Sequence, residues 1–191
     1  MRETKRQLLH IAVGLVLVWL IHIEVLNPIN MTVLLVIGFL LSLLQQKVNI
    51  PGITMLLKHM ERPDKKILPG GSTLHYLAGA TFVLLLFPKQ IALAALMILT
   101  LGDSCSHLAG KYLGFTKNPF NQQKLIEGTV AGIFVGALGA AFFVPFFKAF
   151  TAATIAMLVE AVEIKIWRKP LDDNLIIPLL AGFVLWTIRM V

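Results

Sequence analysis

LLHIAVGLVLVWLIHIEVL, residues 8–26, decides the fold class. A helix needs about 20 mostly apolar residues to cross the hydrocarbon core of a bilayer, and this run supplies them. It follows Arg2, Lys5 and Arg6, as the apolar core of a signal peptide would. No small-residue cleavage site follows it; His22, Glu24 and Asn27 come instead, so the run reads as a retained first helix. Six more runs predict spans at Ile29–Leu44, Leu74–Phe87, Ile91–Ala109, Thr129–Phe147, Phe150–Ile166 and Leu175–Met190. The segment Ile50–Met60 is amphipathic and reads as an interfacial helix. The expected fold is therefore an all-α polytopic bundle of about seven spans, one domain over residues 1–191.

Composition agrees: 57% of the residues are hydrophobic and 14% charged, with a mean hydropathy of +0.81. A soluble domain carries nearer a quarter charged residues. The formal net charge is +7. Its basic residues fall in short loops between apolar runs, which points to orientation in the membrane and anionic headgroups, with no nucleic-acid partner. With the amino terminus in the cytoplasm, 14 Lys and Arg lie inside, and Lys89, Lys148 and Arg189 outside. That bias follows the positive-inside rule and supports seven spans. Acids are not governed by the rule, yet Glu24 alone falls outside, so an active site should open to the cytoplasm. The membrane would be a cell or endoplasmic-reticulum-type one. A single cysteine, Cys105, excludes an intrachain disulfide. Gly128, Gly132, Gly136 and Ala140 recur every four residues and predict close helix packing.

Asp103 is the most informative polar residue, placed towards the inner end of the fourth span. An acid at the centre of a membrane helix costs roughly 2.5–3.5 kcal/mol. Near a helix carboxyl end it also opposes the macrodipole, so a cation should compensate it. His107 and Lys111 share its face at four and eight residues on, and an ion pair with Lys111 is the plain structural alternative. Glu160 and Glu163 repeat the argument in the sixth span, where Lys165 or a divalent metal could sit between them. Lys124, Glu127, Gly128 and Thr129 open the fifth span as a helix amino terminus suited to phosphate, although Glu127 is also an ordinary dipole partner. Ser72, after Gly70 and Gly71, is placed to cap the third span, and Asp172, Asp173 and Asn174 precede the seventh. Three such termini on one face would make a polyphosphate cradle, with Lys111 and Lys165 as further basic contacts. His10, one turn before Gly14, reads alone as a structural hydrogen-bonding residue. No Walker-type loop, HExxH, CxxC or GxSxG occurs.

The order of these motifs resembles the CTP-dependent lipid-alcohol kinases, namely dolichol kinase, phytol kinase and the yeast-type diacylglycerol kinase. The resemblance runs from ETKRQLLHIAVG through ERPDKKILPGGSTLHYLAG, GDSCSHLAGKYLG, KLIEGTVAG and EAVE to DDNLIIPLLAG. It implies transfer of the CTP γ-phosphate to the hydroxyl of a membrane lipid, with Mg²⁺. It makes Asp103, Glu160, Glu163 and Asp173 candidate metal ligands and Asp103 and Glu127 candidate catalytic acids or bases. It makes Lys124, Gly128 and Thr129 candidate nucleotide contacts. The related phosphatidate cytidylyltransferases close with PGHGG and DR-D signatures, and PLDDNLIIPLLAG has neither. A small transporter is the alternative from another class, and acids gathered at one face disfavour it. The sequence leaves the lipid open, and the oligomeric state too, a homo-oligomer included.

Overall fold

The structure, a computed structural model, describes residues 2–48, 52, 68–162, 165–166 and 169–189. The fold is all-helical. Among the described residues seven helices run in order: α1 Arg2–His22, α2 Pro28–Lys47, α3 Gly71–Leu86, α4 Lys89–Leu113, α5 Ile126–Ala140, α6 Phe146–Val162 and α7 Asp173–Thr187. Each matches one apolar run, with shifted ends. α1 stops at His22, because Glu24 takes a left-handed conformation (φ 66°) that turns the chain. The fifth run divides at Ala141–Val144, and Pro145 leads into α6. The sixth ends at Val162; Ile166 lies in a two-residue strand paired antiparallel with Lys169–Pro170. The 50–60 segment falls outside the described residues, Gly52 excepted.

Local chemistry sets the helix starts. Pro28 opens α2 while the Asn27 side chain accepts from Asn30 N at 2.9 Å. Asp172 caps α7 by accepting from Asn174 N at 3.2 Å. α3 differs from expectation: Gly70 in the left-handed region (φ 80°) precedes it, no side chain caps it, and Ser72 lies inside its first turn.

α4 is the axis of the molecule. Every residue from Ile91 to Leu99 is buried. Its neighbours approach through small residues: Ala149, Ala152, Ala153 and Ala156 of α6 and Ala181 of α7 have no exposed surface. The glycine stripe of α5 behaves as its spacing predicts. A Cβ at Gly128 would meet the Ser106 carbonyl at 2.5 Å, and one at Gly132 the Gly102 carbonyl at 2.7 Å.

Three helices, Glu3–His22, Pro28–Lys47 and Lys89–Leu113, are long and apolar enough to cross a membrane; α3, α5 and α7 are shorter apolar helices. α2 leaves Val36, Phe39, Leu40 and Leu44 exposed along its length. Water would not tolerate so large an apolar face on a soluble monomer. The chain is a membrane protein.

The polar contacts sort to the two ends of the bundle. At one end Lys89 donates to Glu24 at 2.7 Å and Lys148 to the Ile188 carbonyl at 2.8 Å. The hydrogen bond from Lys89 holds the Glu24 carboxyl below its ordinary pKa. At the other end lie the Thr4–Lys111, Ser72–Asn174, His75–Asp172 and Lys124–Glu160 contacts.

Candidate active site

Asp103 does not lie near the end of its helix. α4 continues to Leu113, and residues Ile98–Asp103 form a π-helical stretch in its middle. One-turn π distortions tend to mark functional sites, because the extra residue re-aims side chains. Gly102 in this stretch lets α5 and Met157 approach, and Asp103 turns into the bundle, 8% exposed. The compensating cation is not Lys111, whose ammonium donates to Thr4 Oγ1 at 2.9 Å. His107 is the near partner: its Nδ1 lies 3.2 Å from Asp103 Oδ1 and 3.0 Å from the Asp103 carbonyl oxygen.

Lys124 reaches the same place from the loop before α5. That loop is stitched down by backbone bonds from Asn118 N to the Lys124 carbonyl and from Ile126 N to the Thr116 carbonyl, both 3.0 Å. The buried Asn118 amide donates to the Ala161 carbonyl at 3.1 Å, which ties the loop to the end of α6. Lys124 thereby forms an ion pair with Glu160, whose side chain has no exposed surface, and its ammonium lies 3.9 Å from Asp173 Oδ2. The cation expected between the α6 acids is thus Lys124. Glu163 lies outside the described residues, as does the Lys165 side chain.

Asp103, His107 and Glu160 each offer a ligand atom within 4.8 Å of the others. Asp103 Oδ1, Glu160 Oε2, Thr129 Oγ1 and His10 Nε2 are buried with no hydrogen bond among the described residues. Unpaired buried acceptors are costly, so such atoms in one place point to a missing partner. Glu127 does not join this cluster. Its carboxylate accepts from Thr116 N at 3.0 and 3.2 Å and so braces the loop that carries Lys124. Gly128 serves the α4–α5 contact.

Two clefts open on either side of the cluster. One is lined by Ser106, His107, Gly110, Lys111, Gln123, Lys124 and Leu125, with three basic side chains and no acid. The other lies among α1, α3 and the start of α7; Asp103, Asp172 and Asp173 line its polar end, with Ser72 and Asn174 beside them. Asp103 and His107 form the wall between the two.

This arrangement, a buried acid–lysine–histidine cluster inside a bundle, agrees with the comparisons. "Probable phytol kinase 3, chloroplastic" of Glycine max is 26% identical over 205 residues, covering 93% of this chain and 60% of that protein. "CTP-dependent diacylglycerol kinase 1" of Eremothecium gossypii is 23% identical over 217 residues, covering 97% of this chain and 67% of that protein. The chain is related to the CTP-dependent lipid kinases. "Probable phytol kinase 2, chloroplastic" of Oryza sativa subsp. japonica is 28% identical over 147 residues, 68% of this chain and 47% of that protein. The chain spans about 60% of the length of the soybean kinase. No family model matches the chain, and no solved structure does.

Against that lipid-kinase background, sequence reasoning missed three supporting residues. Asn118 anchors the Lys124 loop, and the Asn118-Pro119 turn signal was its one trace. Tyr76 packs edge-on against His10, with ring centroids 4.9 Å apart, and shares a 3.1 Å hydrogen bond with Thr100. Both lie against Gly14, where a Cβ would stand 2.8 Å from the Tyr76 hydroxyl. That contact explains why a glycine follows His10 by one turn.

Proposed function

We propose that this protein is a membrane-embedded kinase that transfers the γ-phosphate of CTP to the hydroxyl of an isoprenoid alcohol, polyprenol-like, or of a related lipid. The observation that carries this reading is the Asp103–His107–Lys124–Glu160 cluster standing between a basic cleft and an acid-lined one. The similarity to phytol kinases and to a CTP-dependent diacylglycerol kinase supports it.

The basic cleft suits the nucleotide polyphosphate, with Lys124, Lys111 and His107 as its cations. Lys124 also lies against Glu160, so it couples the donor to the acids. Mg²⁺ fits the oxygens on the far side of that pair: Asp103 Oδ1 and Glu160 Oε2 are buried, close together and unpartnered. One or two carboxylates, with phosphate and water completing the shell, are what this ion takes from a protein. Held there, the ion supplies neutralisation of the phosphate charge. In the transfer itself the acceptor hydroxyl oxygen attacks the γ-phosphorus, the bond to the bridging oxygen of CDP breaks, and Asp103 accepts the hydroxyl proton. His107 holds the Asp103 carboxylate in place across the wall.

We place the amino terminus and the site on the cytoplasmic side and read all seven helices as spans. The grouping of Glu24, Lys89 and Lys148 at one end of the bundle, opposite the cluster, supports that orientation. Full-length protein incubated with CTP and a panel of lipid alcohols tests the reaction. Label from the γ-position in the lipid is the expected result; label from the α-position would mean nucleotidyl transfer instead.

A further inference from the structure

We propose that the acid-lined cleft among α1, α3 and α7 is the acceptor subsite, that it admits a neutral lipid alcohol and rejects an anionic headgroup, and that His10 binds the acceptor hydroxyl. The proposal rests on the kinase reading and adds where the acceptor sits and what selects it.

The cleft is two-ended. Leu9, Val13, Leu17 and Leu77 make its apolar side along α1 and α3. Its polar end carries three aspartates, Asp103, Asp172 and Asp173. Arg6 is the lysine or arginine lining it, and that guanidinium is engaged by Glu3 at 2.5 and 3.2 Å. A phosphate or carboxylate headgroup entering here would face carboxylates without a committed cation, and like charges at close range in a poorly solvated site repel strongly. An uncharged hydroxyl on an apolar tail meets no such barrier. The basic residues Lys111, Lys124 and His107 line the opposite cleft, so the electrostatics separate an anionic donor from a neutral acceptor.

His10 is the group placed to read the hydroxyl. It lines the cleft, and its Nε2 is buried without a hydrogen bond among the described residues. The ring is held edge-on by Tyr76, whose own hydroxyl is engaged with Thr100. A neutral imidazole nitrogen can accept from, or donate to, an alcohol. Such a bond would satisfy the orphaned atom and hold the acceptor oxygen beside Asp103.

The test uses purified full-length protein in nanodiscs, with CTP and geranylgeraniol as probes. His10→Ala should raise the KM for the alcohol about tenfold, the worth of one buried hydrogen bond, and leave the KM for CTP unchanged. His10→Gln, which can place an amide near the Nε2 position, should recover part of the loss. Val13 is 39% exposed, so Val13→Trp should fold while narrowing the apolar side. It should slow geranylgeraniol more than hexanol. Unchanged acceptor KM values in both His10→Ala and Val13→Trp would overturn the proposal. A diazirine derivative of the alcohol gives a readout that needs no turnover. Crosslinks to residues 9–17 and 73–77, undiminished by phosphatidate, are expected even if the parent protein transfers no phosphate, in which case the kinase reading alone fails. Crosslinks confined to other segments, or displaced by phosphatidate, would overturn the subsite.

Discussion

Replacing Lys124 by methionine should be among the most damaging single changes in this protein, and the reason is asymmetry. The Glu160 side chain has no exposed surface, whereas Lys124 is 19% exposed. Removing the lysine strands a buried carboxylate beside Asp103 and Asp173, a change of the kind that costs about 3–5 kcal/mol. For a chain of this size that corresponds to a fall in Tm of roughly 6–20 °C. Removing the acid instead, in Glu160→Gln, leaves a lysine that can reach water and still has Asp173 at 3.9 Å. Its cost should be smaller, about 1–3 kcal/mol. The double variant Lys124→Met/Glu160→Gln should recover most of the stability lost by Lys124→Met, because the stranded charge is gone. Thermal unfolding of full-length protein in detergent, followed by its three tryptophans, measures all three. The reasoning fails if Lys124→Met unfolds within a degree of the parent, or if Glu160→Gln proves the more damaging of the two. Phosphoryl transfer should stay lost in the double variant, which separates the catalytic from the structural share of the pair.

Other outcomes follow from single contacts. Gly128→Ala drives a methyl into the Ser106 carbonyl and should destabilise by about 1–3 kcal/mol, seen in the same unfolding assay. Glu127→Ala frees Thr116 N and loosens the Lys124 loop, so it should raise the KM for CTP more than it lowers kcat. The Glu24 carboxyl has a lowered pKa, so its contribution is present at neutral pH and is lost as pH falls through its folded value. The contact is exposed, and Glu24→Gln should leave Tm at neutral pH nearly unchanged. Chelation of divalent metal should abolish transfer and restoring Mg²⁺ should return it; activity that survives chelation would remove the ion from the mechanism.

Much of the bundle was legible because apolar run length is a strong signal in a membrane chain. All seven runs became helices, and the α5 glycines packed as their spacing implied. The ends were less legible, since Ala141–Val144 is as apolar as the helices it separates and hydropathy cannot see a turn there. The π stretch was hidden for a similar reason: an extra residue in a helical turn leaves no mark on a run as apolar as Ile98–Leu101. At the site, Asp103 and His107 were readable as neighbours because a helix fixes four-residue spacing. The Lys124–Glu160 pair was not, since it joins residues 36 apart through an irregular loop anchored by Asn118. Lys111 and Ser72 show the converse. Their spacing suggested partners, and the fold gave Lys111 to Thr4 and began α3 at Gly71 instead.

The central claim is that the buried cluster carries a γ-phosphate from CTP to a neutral lipid alcohol. Its most direct test is label transfer from γ-labelled CTP to geranylgeraniol by the full-length protein and by Asp103→Asn, with matched thermal unfolding of both. The account predicts labelled lipid from the parent and none from a folded Asp103→Asn variant. Near-normal labelling by that variant would contradict it.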